Sequence, residues 1–537
     1  LATDVTATQL GSNQAPPDKW LIALSVAFGS LMATIDSSII NVAIPHIRGA
    51  VGASIAEVTW VSTSYLIAMV LVMPLTGLLG ALIGQKRLYL GSLVVFVVGS
   101  ALCGMASSLS TLIVFRVIQG LGAGSLQPSQ QAILRQTFPP SEQGMAMALF
   151  SMVIMIGPAI GPALGGLITD NWSWPWIFFI NLPIGVIGIW MTWRNVHEPE
   201  DIRQANLKKA QSIRGNFDWL GIFLLIMGIA SLQFLLEEGP SHDWFAARSM
   251  ILCAMVAFFS LLIFGIHEMR VPHPVINFRL FQNPSYFSAT CIGSILFALV
   301  MGNMFILPLF MQELMGFDAT RSGLMLMPRS LAMMVGAPIV GMLYNKISTP
   351  ILILTGILLF IGGNLELSTL ALESSSWDIA FPLIINGLGM SCLLVPLTTA
   401  ALSQIPRHEV GAAAGINSFF RQIGGSFGLT LSATTLTHFA ASARSDLRSH
   451  LTLLRPEVAA EFSSHILPWM HKGFSATMAQ EMGVQMWERR VHIQSMVLAF
   501  DGVFFLQGVA FLCAIPLLFL LRVKSKGPVK IMEISVE

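Results

Sequence analysis

The sequence predicts an all-α integral membrane protein with many crossings, on three observations. Of its 537 residues, 54% are hydrophobic. Only 11% are charged, against about 25% in soluble proteins, too few to cover a water-exposed surface of this size. The apolar residues also come in long runs, each close to the ~20 that a helix needs to cross a bilayer. The net charge of +1 leaves no basic excess for a nucleic-acid partner. The 46 Gly and 27 Pro are tolerated in membrane bundles, where neighbouring helices satisfy the freed backbone groups. Cys103, Cys253, Cys291, Cys392 and Cys513 each stand alone in an apolar run, with no CxxC. They read as small apolar side chains, not as metal or disulfide sites.

Fourteen spans are expected, at 20–45, 57–79, 88–107, 112–134, 144–168, 174–195, 217–236, 246–269, 284–312, 321–343, 349–371, 378–403, 410–437 and 497–522. The first is too long for a signal-peptide core and reads as a retained span. With the N-terminus inside, seventeen Lys and Arg fall on the inner side, against three in short outer loops. That asymmetry predicts an even number of crossings with both termini cytoplasmic.

An internal echo divides the chain. Pro74-x-x-Gly77-x-Leu79 ends span two and Pro338-x-x-Gly341-x-Leu343 ends span ten, with Lys86 and Lys346 in the loops that follow. The two spans are equivalent if six are duplicated and two inserted, a 6 + 2 + 6 plan of the kind transporters build around a midplane site. The expected units are an N-terminal six-helix bundle (1–195), a polar basic loop with the inserted pair (196–283), and a C-terminal six-helix bundle (284–537). The last carries a long outer loop, 438–496, that mixes apolar and charged residues and is expected to hold one or two amphipathic helices. This loop either packs on its own bundle or docks a partner or lipid headgroups.

Ionisable groups inside a membrane are costly and mark function by default. The expected spans hold Asp36, Glu366, Asp501, Arg116, Arg329 and Arg421. Asp36 lies roughly 14 Å from the outer end of span one, among Ser37, Ser38 and Asn41. Arg116 lies near the outer end of span four, within reach of it. Such a carboxyl is pulled up by burial and down by the cation, which suits a proton-exchanging switch; the alternative is a fixed structural ion pair. Arg421, at mid-depth beside Gln422, and Arg329 are candidates for a substrate cavity. No histidine lies mid-span, which argues against a histidine relay. The run Gly157-Pro158-Ala159-Ile160-Gly161-Pro162-Ala163-Leu164-Gly165-Gly166 in span five removes backbone donors and clears one face, so that the helix can bend or a neighbour approach closely. Gly120, Gly122 and Gly124 follow no strand, so close packing explains them better than a nucleotide site.

These segments together resemble a known family. Ile35-Asp36-Ser37-Ser38-Ile39-Ile40-Asn41-Val42-Ala43-Ile44-Pro45 is similar to the span-one signature of the 14-helix drug:proton antiporters of the major facilitator superfamily. Arg116-Val117-Ile118-Gln119-Gly120-Leu121-Gly122 resembles its span-four motif, and Gly157–Gly166 its span-five antiporter motif. Trp174–Gly185 resembles the segment that opens span six. Ser418-Phe419-Phe420-Arg421-Gln422-Ile423-Gly424-Gly425-Ser426 resembles the arginine-bearing stretch of span thirteen. The likeness covers nearly the whole chain, and within the family it points to the EmrB-type exporters.

The resemblance implies a major facilitator fold in a bacterial inner membrane. It implies proton-coupled export of amphipathic drugs by alternating access, powered by the proton gradient with no bound cofactor. Asp36 and Arg116 would couple protons. Asn41, Gln119, Arg329, Asn417, Arg421 and Gln422 would line the substrate cavity. Gly157, Pro158, Gly161, Pro162, Gly165 and Gly166 would form the antiporter hinge, and Gly77, Gly84, Lys86 and Arg87 the gating loop. A periplasmic adaptor and an outer-membrane channel are the implied protein partners. One motif departs from the pattern G-x-L-a-D-r-x-G-r-k. Here it reads Gly77-Leu78-Leu79-Gly80-Ala81-Leu82-Ile83-Gly84-Gln85-Lys86, so Ala81 replaces the acid of the usual charge latch. An ATP-driven pump is excluded for lack of a GxxxxGK[ST] loop. An enzyme is not expected, because no carboxylate pair or metal-spaced histidines occur together. A dedicated exporter of one endogenous metabolite, such as a siderophore or peptide, and an uncoupled channel are the competing readings.

Overall fold

The computed structural model describes residues 18–214, 217–242, 244–272, 274–451 and 455–521. They fold into α-helices with a few 3-10 turns and, among the described residues, no strand. This follows from the solvent, since lipid cannot hydrogen-bond exposed backbone and a helix satisfies its own. In chain order the helices begin with α1 (Lys19–Val51), α2 (Ile55–Val72), α3 (Thr76–Ile83), α4 (Gln85–Gly104), α5 (Leu109–Ala123) and α6 (Leu126–Thr137). Next come α7 (Gln143–Asn171), α8 (Trp176–Phe179), α9 (Asn181–Asn195), α10 (Glu200–Arg214), α11 (Trp219–Glu238) and α12 (Arg248–Glu268). The series ends with α13 (Pro284–Glu313), α14 (Ala319–Leu343), α15 (Thr349–Leu367), α16 (Ser376–Ser403), α17 (Val410–His450), α18 (Pro456–His471) and α19 (Ala476–Ala510).

Local sequence sets many of the ends. Ser54 with Glu57 and Ser375 with Asp378 form reciprocal caps at the starts of α2 and α16, satisfying orphan amides. Asp318 accepts from the Arg321 amide at 2.6 Å to start α14. Pro74, which lacks an N–H, lies in the turn between α2 and α3, and the two helices meet at 59°. Exposed tryptophans mark the two interfaces, Trp172 and Trp176 at one end and Trp190, Trp193 and Trp219 at the other, as amphipathic rings do at headgroup level.

Among the described residues, twelve helical stretches are long and apolar enough to cross a membrane, thirteen if α2 and α3 form one crossing. Fourteen spans are expected from sequence. The difference is 410–437, which is helical within α17 but carries Asn417, Arg421, Gln422 and many Gly, Ser and Thr residues. Two segments are more ordered than expected. The polar 194–216 loop holds the amphipathic α10. Most of 438–496 is helix: α17 continues to His450, α18 follows, and α19 starts at Ala476. There α18 packs on α19, with Phe462 edge-on to Trp487 at 5.5 Å, and Arg444 of α17 donates to Glu488 of α19 at 3.0 Å.

The helices form two groups. In the first, α1 packs on α7 and α9, α2 on α5, and α4 on α5 and α9. In the second, α13 packs on α17 and α16, α16 on α14 and α15, and α17 on α19. The groups meet where α7 runs along α14 and where α3 and α6 lie against α17. The repeated Pro/Gly pattern sits at both seams. Gly77 abuts the backbone of Ala412 on α17, and Gly341 abuts Ala148 and Met145 on α7. Each echo thus contacts the opposite group. Of the inserted pair, α11 wedges against α2 and α17, with Gln233 donating to Ser426 at 2.8 Å, while α12 packs mainly on α11.

The glycine motifs are close-packing devices. Gly157, Gly161 and Gly165 line the face of α7 that meets α1. A Cβ at Gly157 would lie 2.5 Å from the Thr34 hydroxyl and one at Gly165 2.9 Å from the Ile39 carbonyl; one at Gly161 would strike Ser38. The contact lets the Ser38 hydroxyl donate to the Gly157 carbonyl at 2.9 Å. Gly166 faces Thr320 and Val42 with room to spare, and Pro162 reaches Gly323 on α14. Despite Pro158 and Pro162, α7 is a single helix from Gln143 to Asn171. Gly120 seats against α2 at Tyr65 and Gly122 against α4 at Phe96.

Gly157→Ala is expected to lower stability by about 1–3 kcal/mol through overpacking. Gly91→Ala, where an added Cβ meets nothing within 4 Å, should be neutral or slightly stabilising. Thermal unfolding in detergent measures both, and equal behaviour would contradict the seam.

Candidate functional site

Among the described residues, the buried charged side chains of the two helix groups are Asp36, Arg116, Arg329 and Arg421. Asp36 on α1 and Arg116 on α5 form an ion pair, Nη1 to Oδ2, at 2.6 Å with 0–1% of either side chain exposed. Two further groups complete the carboxylate's shell. Gln119, one turn along α5, donates to Oδ1 at 2.8 Å, and Asn181 at the start of α9 donates to the same oxygen at 3.2 Å. Arg116 also donates to the Gln119 amide oxygen at 2.8 Å and, through Nε, to the Val61 carbonyl of α2 at 3.0 Å. Its guanidinium lies 4.0 Å from the centroid of the Tyr65 ring, a cation–π contact strengthened by the absence of water. Asn181 is held in turn by Ser100 of α4 at 3.1 Å. The cluster therefore ties α1, α2, α4, α5 and α9 together. Arg116 Nη2 has no hydrogen-bond partner.

Of the residues expected to line a substrate cavity, Gln119 belongs to this cluster. Asn417 and Arg421 lie buried on α17, and Gln422 beside them is half-buried. Arg421 Nη2 donates to Ser418 at 3.4 Å. Ser418 also receives the Gln131 side chain of α6 at 3.5 Å. Arg329 is buried on α14. The Asn41 side chain lies outside the described residues. Tyr65, Ser100 and Asn181 were not singled out from sequence. Asn181 stands within the resembling stretch 174–185, which was the available signal; Tyr65 and Ser100 sit in unmarked apolar runs.

The chain from residue 26 to 429 matches the family model described as Major Facilitator Superfamily. The chain belongs to the major facilitator superfamily. Within it, the chain is similar to Multidrug export protein EmrB of Haemophilus influenzae, with 35% identity over 81% of this chain and 84% of that protein. It is also 32% identical to Multidrug export protein EmrB of Escherichia coli K12, over 93% of this chain and 94% of that one. This places it among the EmrB-type members. The structure resembles the crystal structure of the human organic anion transporter MFSD10, with a TM-score of 0.59 and 14% identity, covering 92% of this chain and all of that one. That likeness concerns the fold. This member is a transporter rather than an enzyme, a multi-pass protein of the bacterial inner membrane.

Against the superfamily pattern, the loop after span two lacks the latch acid, and its surroundings are as follows. Ala81 is buried. A carboxylate arrives from elsewhere: Glu198, just before α10, accepts from the Gln85 amide at 3.2 Å and from Asn206 of α10 at 2.9 Å. Gly84 turns the chain with φ +90 and packs against the Glu198 carboxylate. Lys86 donates to the Trp193 carbonyl at 2.9 Å, while Arg87 is exposed. At the same end, Arg135 donates to the Leu402 and Ser403 carbonyls at 3.2 and 3.1 Å. Arg407 donates to the Gln136 carbonyl at 2.6 Å and pairs with Asp201 of α10 at 3.5 Å. This basic end is therefore cross-linked between the two helix groups.

Removing one member of a buried pair strands the other. Arg116→Ala is expected to cost about 3–5 kcal/mol, seen as lower yield and a lower unfolding temperature in detergent. Asp36→Asn combined with Arg116→Gln, which removes both charges, should recover most of that loss. An Arg116→Ala protein as stable as the parent would show that the pair carries no structural weight.

Proposed function

We propose that this transporter is a proton-coupled antiporter that exports amphipathic drugs and toxic compounds by alternating access. The observation that carries the reading is the buried Asp36–Arg116 pair with its Gln119 and Asn181 donors, inside a fold whose EmrB-type relatives are named for multidrug export. A carboxylate enclosed this way has two stable arrangements, ionised and held by three neighbours, or protonated with the shell relaxed. Because the cluster around it joins five helices, a change of charge there is felt across the whole first group.

In this reading the chain crosses the membrane fourteen times with both termini in the cytoplasm, and the basic end is the cytoplasmic one, as its lysines and arginines suggest. The two groups are the rocking halves, 1–195 and 284–537, with the helix pair of 196–283 beside them. The cross-links of Arg135 and Arg407 then belong to the state closed to the cytoplasm. A proton reaching Asp36 from outside favours release of substrate there. Moving one charge through 100 mV supplies about 2.3 kcal/mol and each pH unit about 1.4 kcal/mol. With both, one proton per neutral substrate sustains a gradient of roughly a few hundredfold. On the face of α7 that meets the other half, Pro162 and Gly166 lie against Gly323 and Thr320 of α14, along the interface that moves. The helical segment 438–496 is the surface available to a periplasmic adaptor that would pass substrate to an outer-membrane channel.

The test uses proteoliposomes with an internal pH-sensitive dye and an imposed proton gradient. Several unrelated amphipathic compounds are expected to trigger proton release in the parent. Asp36→Asn should abolish it while the protein still inserts and binds substrate. Full proton-linked export by Asp36→Asn would remove the coupling assignment, and a response to a single compound would favour a dedicated exporter.

A further inference from the structure

Outside the two helix groups, the inserted pair buries acids of its own. Asp218 caps the start of α11, where its Oδ1 accepts from the Gly221 amide at 2.8 Å and from His267 Nε2 of α12 at 2.8 Å. The Asp218 side chain is 6% exposed. Glu268, the last residue of α12, is 4% exposed. The two carboxyls meet across Gly221. A Cβ at that glycine would strike Asp218 Oδ2 and lie 3.0 Å from Glu268 Oε1. Asp218 Oδ2 and Glu268 Oε2 have no hydrogen-bond partner. Among the described residues, no charged group other than His267 pairs with either carboxyl. Arg270 and Arg279, on the linker after α12, are exposed. Glu237, Glu238, His242 and Arg248 lie at the opposite end of the pair, and α2 and α17, the other long helices packed on α11, supply no ion pair here.

Two ionised carboxylates side by side in a buried site repel, and a buried oxygen without a donor is costly. One proton answers both, because a protonated carboxyl loses its charge and gains an O–H donor. Among the described residues, no group of three or more His, Cys, Asp and Glu is arranged to hold a metal ion, so a proton is the ligand that fits. Glu268 also reaches beyond the pair. Its Oε1 accepts from the Val275 amide at 3.2 Å, in the linker that leads to α13. Phe264 of α12 stands edge-on to Phe278 of the same linker at 6.2 Å, and Val275 and Ile276 are buried. The connection from the inserted pair to the second helix group is thus clasped at the carboxyl pair.

We propose that Asp218, Glu268 and His267 form a second proton-binding site, separate from Asp36, in which one proton shared by the two carboxyls holds the 270–280 linker against the inserted pair. Loss of that proton sets two like charges against each other. His267 stays beside Asp218, while Glu268 turns toward water and releases the Val275 amide. The site responds to pH at the end of the pair that adjoins α10, the cytoplasmic end in the reading above. It acts on the entry to α13 and not on the Asp36 cluster.

The experiment uses the full chain in neutral-lipid nanodiscs, without a proton gradient, at about pH 5.5 and about pH 8.5, either side of neutrality. Infrared difference spectra are expected to show the carbonyl stretch of a protonated carboxyl at the lower pH and its loss at the higher. The band should be absent from Glu268→Gln, which mimics the protonated acid. In Asp218→Asn, which keeps the helix cap and removes the like charge, the band should vanish at a lower pH than in the parent. Amide hydrogen exchange across 270–280 reads the clasp. At the higher pH the parent should exchange about tenfold faster than Glu268→Gln, the scale of one lost hydrogen bond; at the lower pH the two should match. The folded pair keeps a proton that free carboxyls release near about pH 4. The folded chain therefore binds more protons than the unfolded one across this range, and its stability falls as pH rises. At the higher pH the parent should unfold roughly 1–3 °C below Glu268→Gln. No titrating band in the parent, a band that persists in Glu268→Gln, or an unchanged midpoint in Asp218→Asn overturns the proposal. So does equal exchange in parent and Glu268→Gln at both pH values, or exchange that follows sodium concentration at fixed pH, which would put a metal ion between the oxygens. None of these readouts involves export, so their failure leaves the Asp36 reading standing.

Discussion

The constraint on which the structure depends is that lipid offers no hydrogen bonds. Backbone polar groups must be satisfied within each segment, which leaves helices, and apolar faces gain nothing by leaving lipid for one another. Specific assembly then relies on two devices, close approach at small residues and polar groups that find partners only in one arrangement. Both are present here. Gly157, Gly161 and Gly165 let α7 lie against Thr34, Ser38 and Ile39 of α1. The Asp36–Arg116 cluster binds five helices through direct contacts.

The two helix groups use polar side chains differently. In the first, a carboxylate and a guanidinium are paired and surrounded by amides. In the second, the corresponding interior contact is neutral: Asn303 of α13 donates to Asn364 of α15 at 2.6 Å, and Gln507 of α19 to Ser432 of α17 at 2.9 Å. The arginines of the second group stand apart from these contacts. A neutral amide pair anchors helices without carrying charge, so the two groups hold their helices together by different means: a shared ion pair in one, amide and hydroxyl contacts in the other.

The basic end adds a third element. The acid expected in the loop after span two is missing, yet a carboxylate is present, brought by Glu198 from beyond span six. Asp201, three residues on, reaches Arg407. The short helix α10 thereby touches the loop of one group and the connecting segment of the other. A carboxylate thus reaches this loop from a different part of the chain, held by the Gln85 amide and Asn206 and not by a cation.

Much of this was legible in the chain itself. Length, apolar runs and sparse charge determined an all-helical membrane protein. The clustered Gly and Pro of 157–166 determined a close-packing face. The scarcity of ionisable residues inside spans singled out Asp36, Arg116 and Arg421, because a buried charge is too costly to be incidental. Tertiary structure alone decided which of those charges meet. Asp36 and Arg116 are eighty positions apart, and no local pattern states that Gln119 and Asn181 turn toward the same oxygen. It also decided that α17 runs on to His450 and α19 starts at Ala476, that Glu198 reaches the loop after span two, and that Arg421 faces aromatic rings. The reason is physical. Hydropathy and helix-breaking residues act within one helix and are written locally, whereas the pairing of polar groups depends on how helices rotate and tilt against one another, which is settled only when all of them pack.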